Sequence, residues 1–535
     1  MPAAPTAPVP VDGQRTPEPG SPQRRSAWGS LRPLVLRLHF YAGVLIAPFL
    51  LVAAVTGLLY AGSYQAEKLV YADELEVPVG DRELPVSEQV AAARKAHPDG
   101  TVSAVRPSAE DGATTRVLLS GVEGVHPDRT LAVFVNPYTA EVRGSLEQYG
   151  SSGALPLRTW VSGLHRDLHL GETGRLYSEL AASWLWVIAG GGVVLWFARQ
   201  RARRKVRGAT GRRRTLSLHG TVGVWTAAGL FFLSATGLTW SAYAGESIAD
   251  LREALGQTTP TVSTSLAAAG ESGAPDSGEH AEHGGGGAGG ADRAGGADRA
   301  GGAADVGLDA VLASARDRGL SGPVEVVPPA DASAAPSAYV VKEIQRSGFD
   351  GPDTAAVDPT NGKVVDVLKF DDFPVLAKLT RWGIDAHSGT LFGLANQVVL
   401  AGIAVGLILL IVWGYRMWWQ RGRGTSFGRP LPRGAWQHVP AYVLVPLMAA
   451  VAVLGYFVPL LGIPLVAFLV VDIVLGEIAY RRGKRSYGAV DSGTGGKARG
   501  GDAGGGRRGG WERQLKTEGH PHERGSRVWV WVRGV

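Results

Sequence analysis

The stretch Leu38-His39-Phe40-Tyr41-Ala42-Gly43, followed by Thr56-Gly57-Leu58, returns 180 residues later as Leu218-His219-Gly220-Thr221-Val222-Gly223, followed by Thr236-Gly237-Leu238. The copies lie in apolar runs, Leu34 to Gly62 and Leu216 to Tyr243, whose charged residues are confined to the ends. A helix needs roughly 20 residues to cross a hydrocarbon core of about 30 Å, so both runs read as transmembrane helices. Leu180 to Ala198 and Leu391 to Tyr415 read the same way, and Val439 to Tyr480 breaks at Pro459-Leu460-Leu461-Gly462-Ile463-Pro464 into a helical hairpin. Six transmembrane helices are expected.

The repeat extends beyond the helices. Trp160, His165 and Trp196 match Trp382, His387 and Trp418 at an offset of 222, as Val135-Asn136-Pro137 matches Val357-Asp358-Pro359 and Ala93-Arg94 matches Ala315-Arg316. The change of offset requires an insertion, and residues 257–304, with His280, His283 and two copies of Ala-Gly-Gly-Ala-Asp-Arg, supply it. Such composition buries too little apolar surface to fold, so it reads as a flexible linker with solvated histidines. Each repeat is then an outgoing helix, a soluble domain and a returning helix. In the soluble domains, Ser87 to Ala96 and Leu308 to Arg318 have helical character, while Thr115 to Leu119, Leu131 to Val135, Tyr339 to Ile344 and Lys363 to Leu368 alternate like strands. Turns are expected at Asn136-Pro137-Tyr138-Thr139 and Asp358-Pro359-Thr360-Asn361-Gly362. The expected fold is a polytopic α-helical membrane protein: a four-helix core from a tandem repeat, a C-terminal helical hairpin, and two small α+β extracytoplasmic domains.

The net charge of +6 over 535 residues and the mean hydropathy of +0.03 describe no single part of this chain. Segments 1–37, 199–218, 416–438 and 481–535 hold 32 basic and 7 acidic residues, whereas 63–179 and 244–386 hold 22 basic and 39 acidic. Basic loops stay on the cytoplasmic side, so both termini are expected there and the acidic domains outside. The first 30 residues lack the pattern of a cleaved signal, and the first helix reads as an anchor. The Gly/Arg-rich tail is expected to be disordered and to rest on anionic lipid headgroups. Cysteine is absent, which excludes disulfides, Cys-type zinc sites, iron–sulfur clusters and covalently attached haem. No nucleotide-binding glycine motif, P-loop, His-Glu-x-x-His or serine-hydrolase set occurs. Nothing points to nucleic acid as a partner.

Four histidines occupy repeat-related positions. His39 and His219 lie near the cytoplasmic ends of helices 1 and 3, and His165 and His387 near the outer ends of helices 2 and 4. Ionisable side chains at membrane depth are costly and face the bundle interior. Two imidazoles facing each other across a four-helix bundle can supply both axial ligands of a haem iron. Pairing at equal depth gives His39 with His219 and His165 with His387, hence two haems of the non-covalent b type, one near each face. His169, four residues after His165 on one helical face, is a second candidate for that ligand or for a haem propionate. Arg37, Arg166 and Arg381 either pair with propionates or anchor helix ends, and Trp160 and Trp382 either stack on a macrocycle or join an aromatic belt. Gly43, Gly57, Gly223 and Gly237 fit close approach of helices or of a flat macrocycle. Asp472 in the sixth helix is expected to pair with a neighbour such as Arg481 rather than with an arginine inside the bundle.

Together with Leu164-His165-Arg166-Asp167-Leu168-His169-Leu170-Gly171-Glu172-Thr173-Gly174-Arg175 and His387-Ser388-Gly389-Thr390-Leu391-Phe392-Gly393, the two opening motifs resemble the PepSY-associated transmembrane family of bacterial iron-regulated membrane proteins over roughly residues 32–478. The soluble segments 63–154 and 306–380 resemble PepSY domains, whose strand pair commonly carries Pro-x-Thr-Gly; here the turns read Pro137-Tyr138-Thr139-Ala140 and Pro359-Thr360-Asn361-Gly362. The other segments divide as helix 1 at 32–62, an interfacial segment and helix 2 at 155–198, helix 3 at 216–243, helix 4 at 381–420, and helices 5 and 6 at 439–480. The resemblance implies a haem-containing ferric-siderophore reductase of the bacterial cytoplasmic membrane, with His39, His165, His219 and His387 as haem ligands. A ferric siderophore or other iron chelate is the implied substrate, with a separate electron donor, a quinol or a cytoplasmic reductase. Two alternatives stay open: a non-enzymatic anchor whose PepSY-like domains bind a partner, and a component of an iron-siderophore transporter.

Overall fold

The computed structural model describes residues 27–202, 211–266, 305–329, 337–344, 348–421 and 440–491. Most of the glycine-rich linker with His280 and His283, and the tail beyond Asp491, lie outside the described residues. The opening apolar run folds as α1 (Ala27–Leu45) and α2 (Ala47–Val70). The hydrogen-bond ladder runs through Ile46, whose N–H donates to Ala42 O (2.8 Å) and whose carbonyl accepts from Leu50 N (3.0 Å). Pro48 falls in the first turn of α2, where the missing N–H costs little. The helix expected to end at Gly62 runs on to Val70, because Glu67 near its end is buried in an ion pair with Arg158 (2.9 Å).

A short helix α3 (Ala72–Leu75) leads to α4 (Val86–Ala96) and the strands β1 (Thr101–Arg106), β2 (Thr115–Ser120), β3 (Thr130–Val135) and β4 (Val142–Gln148). Next come α5 (Pro156–Asp167), α6 (Glu172–Ala202), α7 (Arg212–Leu238) and α8 (Tyr243–Ala254). The second soluble segment repeats the first as α9 (Gly307–Asp317), β5 (Val324–Val327), β6 (Tyr339–Glu343), β7 (Thr354–Val357) and β8 (Val364–Leu368). After it come α10 (Val375–Ser388), α11 (Leu394–Arg421), α12 (Ala441–Phe457) and α13 (Pro459–Asp491).

The two soluble segments, expected as separate domains, share one antiparallel sheet in the order β4-β3-β2-β1-β5-β6-β7-β8. Each half alone would leave β1 or β5 as an open edge, and pairing them satisfies those backbone groups. Arg106 and Glu325 clasp the seam (2.6 Å), and the Asp309 carboxylate accepts from Val86 N and Ser87 N at the uncapped start of α4. The helices α4 and α9 cover one face, over Val105, Val117 and Val133 in the first half and Val326, Val341 and Ala355 in the second. On the other face Ala104, Leu118 and Phe134 pack with Leu155, at the entry to α5.

Among the described residues, five helices are long and apolar enough to cross a membrane: α2, Glu172–Gln200 of α6, α7, Leu394–Gln420 of α11 and Pro459–Ile478 of α13. The fifth of the six expected spans folds as α12, a shorter apolar helix whose 17 residues extend about 26 Å. The core of the bundle is built by Leu50, Trp184, Leu185, Leu230, Leu410 and Leu461. At its edge α13 is tied by the buried Arg37–Asp472 pair (2.8 Å) and by Trp184 Nε1 donating to Leu460 O (3.2 Å). Asp472 thus meets an arginine inside the bundle, against the expectation of Arg481, because Arg37 is the cation that α13 packs against. The segment from Ile478 onward forms a second unit, in which the helix is described as far as Asp491.

Candidate functional site

The four histidines come together as two pairs. The rings of His39 and His219 have centroids 6.4 Å apart, and those of His165 and His387 6.5 Å apart. His39 stands on α1 and His219 near the start of α7. His165 and His387, expected at the ends of long spans, stand instead on the short helices α5 and α10. Each of these amphipathic helices ends in a left-handed turn, at Leu168 (φ +54°) and Gly389 (φ +89°), and the chain then enters the span that follows. In this way α5 leans on α2 and α10 on α7, which carries each imidazole to a threonine inside the bundle.

Every Nδ1 in the set has a partner. His39 Nδ1 donates to Ile188 O (2.9 Å) and His219 Nδ1 to Leu410 O (3.1 Å), and both carbonyls can only accept. His165 Nδ1 meets Thr56 Oγ1 at 2.9 Å and His387 Nδ1 meets Thr236 Oγ1 at 2.7 Å. Those hydroxyls donate their single proton one turn back, to Val52 O and Phe232 O (both 2.8 Å), so they accept from the imidazole N–H. All four rings thereby present Nδ1–H to an acceptor, and in the neutral imidazole Nε2 then carries the lone pair that a metal needs. The partners are themselves repeat-related: Thr56 and Thr236 by 180, Ile188 and Leu410 by 222.

Two imidazoles bonded to one ion from opposite sides have centroids about 6.4 Å apart, given a metal–nitrogen bond of about 2 Å and a ring radius of about 1.2 Å. Both pairs fit that spacing. Among the described residues no cluster of three or more metal-ligating side chains exists. Two imidazoles therefore suit a metal whose remaining ligands come with it, as the porphyrin nitrogens do in haem.

Around His165 and His387 opens a cavity of about 220 Å³, open to solvent on one side. Its walls include repeat-equivalent residues: Leu50 and Leu230, Gly57 and Gly237, Tyr60 and Trp240, and Leu185 and Leu407. The two Thr-Gly motifs bring the backbone close to the imidazoles: a Cβ on Gly57 would lie 3.2 Å from His165 Cε1, tighter than an ordinary contact, and one on Gly237 3.7 Å from His387 Cε1, an ordinary one. A Cβ on Gly192 would likewise lie 3.1 Å from His39 Cε1, while one on Gly43 would meet nothing within 4 Å. Trp240 stands edge-on to His387 (5.2 Å).

Other candidates fall elsewhere. His169 does not share a helical face with His165, because α5 ends at Asp167 and both Leu168 and His169 are left-handed; its ring packs on Trp160 (5.4 Å), outside the cavity. Trp160 is 56% exposed, and Trp382 donates to Phe349 O (3.0 Å), so neither lines the cavity. Arg37, paired with Asp472, and Arg381, paired with Asp385 (3.0 Å), do not line the cavity, whereas Arg166, paired with Asp167 (3.0 Å), stands at its rim. Arg175 and Glu179 also stand at that rim, without having been singled out; position alone marks them, one and two turns into α6. Thr56 and Thr236 were visible as repeated motif residues, but only the packing of α5 and α10 reveals their partners.

No curated protein matches the chain. The family model for the PepSY-associated TM region matches residues 36–421, well over half of the 535 residues and every histidine of the two pairs. The chain is a multi-pass membrane protein belonging to the PepSY-associated TM family.

Proposed function

We propose that the chain is a transmembrane electron-transfer protein of the two-haem b type, which reduces a ferric siderophore or another ferric chelate outside the cytoplasmic membrane for iron acquisition. The observation that carries this reading is the pair of pairs: four imidazoles at 6.4 and 6.5 Å centroid separations, each with its Nδ1 proton engaged. His39 with His219 and His165 with His387 would hold the two groups. A haem held by each pair would supply one-electron transfer.

The chain's own residues do the remaining work. Ile188 O, Leu410 O, Thr56 and Thr236 fix ring orientation and tautomer and raise the basicity of Nε2. Leu50, Leu185, Leu230 and Leu407 keep water from the inner end of the cavity. His39 and Thr56 are 17 residues apart on one rod, as are His219 and Thr236 on α7, so the two pairs lie about 25 Å apart along the bundle. That separation suits transfer between opposite faces of a membrane. The excess of basic residues in segments 1–37, 199–218, 416–438 and 481–535 argues for the His39 pair on the cytoplasmic side, facing a quinol or reductase donor, and for the sheet outside. Ferrous iron binds hard oxygen ligands more weakly than ferric iron, so reduction frees the metal from its chelator.

The test uses full-length protein in liposomes that enclose dithionite, with ferric citrate and a ferrous-specific chromogenic chelator outside. Ferrous complex should accumulate with the wild-type chain and stop with either His39→Ala or His165→Ala. Rates equal to protein-free liposomes would overturn the reading.

A further inference from the structure

The charge around the cavity of His165 and His387 is not shared between the two repeats. The cavity's paired wall positions are alike in character at Leu50 and Leu230, Gly57 and Gly237, and Leu185 and Leu407. At the rim the likeness fails: Arg166 corresponds to Ser388, Arg175 to Gln397 and Glu179 to Ala401. All the charge of this rim therefore comes from α5 and α6 of the first repeat. A ligand symmetric about the repeat axis gives no reason for that, whereas a planar ligand with anionic groups on one edge does.

The rim carboxylates are already committed. Both Glu179 oxygens accept backbone N–H groups at the start of α8, from Tyr243 (3.1 Å) and Ala244 (3.0 Å). Asp167 accepts from Arg166 Nε (3.0 Å) through one oxygen and from His169 N (2.9 Å) through the other. Arg166 Nη1 donates to Tyr149 Oη (3.0 Å), just beyond β4, so the guanidinium is held on two sides. Arg175 meets Glu172, a 72% exposed carboxylate, at 3.6 Å. Two guanidinium groups thus stand on one wall of a cavity whose floor is apolar.

We propose that Arg166 and Arg175 bind the two carboxylates of the porphyrin held by His165 and His387, so that its anionic edge points toward α5 and α6 and away from α10 and α11. This rests on the two-haem reading. It adds a handedness to the site that the histidines, being repeat-equivalent, do not define. Through Tyr149 it also ties that edge to the sheet.

The test is reconstitution of full-length protein in detergent, expressed without haem, with haem or with its dimethyl ester. The His39→Ala background is used so that binding reports the His165 pair alone. Charge-assisted hydrogen bonds to carboxylates predict about tenfold weaker retention of the diester. The Arg166→Gln, Arg175→Gln double variant should bind haem and diester alike, and Tyr149→Phe should keep the preference for haem. Equal binding of haem and diester by the unsubstituted arginines, or a preference that survives the double variant, would overturn the proposal. Unchanged porphyrin binding with slowed reoxidation by anionic ferric citrate would assign the arginines to the acceptor instead, which also overturns it. A wild-type chain that takes up no haem at all would remove the underlying reading, a result distinct from any of these.

Discussion

Thr56 and Thr236 are the residues on which the His165–His387 pair turns. Each hydroxyl sends its proton back along its own helix and offers a lone pair to an imidazole N–H, which sets the tautomer without introducing charge. Valine has nearly the same shape but no oxygen, so Thr56→Val or Thr236→Val leaves Nδ1–H without that acceptor. Loss of such a partner typically weakens metal affinity by about 10- to 100-fold. Haem at this pair should therefore wash out on dilution while the His39–His219 centre stays, as measured by the reduced-minus-oxidised spectrum of each variant. The repeated Thr-Gly was legible as a motif because both copies survive at one offset, and His165 and His387 were legible for the same reason. The hydrogen bond between them was not, since it joins residues from separate elements at offsets of 180 and 222.

At the scale of elements, the soluble halves show which local signals survive into the fold. Strands β2, β3, β6 and β8 stand close to where the apolar pattern puts them, and β6 alternates cleanly between buried and half-buried residues. The register shift between Val102 and Ala104 breaks the alternation of β1, and β5 and β7 have four residues each, too few to show a period. The short helices α5 and α10 were hidden for another reason. Their histidines lie before the apolar runs, and only the left-handed turns at Leu168 and Gly389 show that the chain doubles back there.

The hairpin turns offer a direct check on element chemistry. Asn136 Oδ1 accepts from Tyr138 N (2.9 Å), and its repeat counterpart Asp358 accepts from the Thr360 hydroxyl (2.7 Å) and N–H (2.8 Å). These bonds, the Thr360 hydroxyl foremost, hold the Asp358 carboxyl below its ordinary pKa. A depressed carboxyl stabilises the fold above its unfolded pKa of about 3.9, and that contribution is lost as pH falls through the lower folded value. Amide exchange at Thr360 should therefore lose protection between about pH 4 and pH 2, after correction for intrinsic rates, while Tyr138 beside the non-titrating Asn136 should not. Parallel behaviour of the two turns would contradict the assignment.

For the whole molecule, duplication explains both the sheet and the bundle. Two open-edged half-sheets close on each other at β1 and β5, and two helix pairs close around two imidazole pairs. The hairpin of α12 and α13 lies beyond the family match at residue 421 and is held through Arg37 and Asp472. Removing one partner of a buried ion pair costs about 3–5 kcal/mol, whereas replacing both with apolar residues of similar volume is often neutral. Asp472→Asn should lower the melting temperature in detergent sharply, and Arg37→Met with Asp472→Met should recover most of the loss. If the single and the double substitution melt alike, the pair does not anchor α13.

The central claim is that the two imidazole pairs each hold one haem. Pyridine haemochrome analysis of the purified, haem-replete full-length chain tests it most directly. The account predicts two b-type haems per polypeptide, falling to one in His39→Ala and to one in His165→Ala. One haem or none in the wild-type chain, or two retained in either variant, would contradict it.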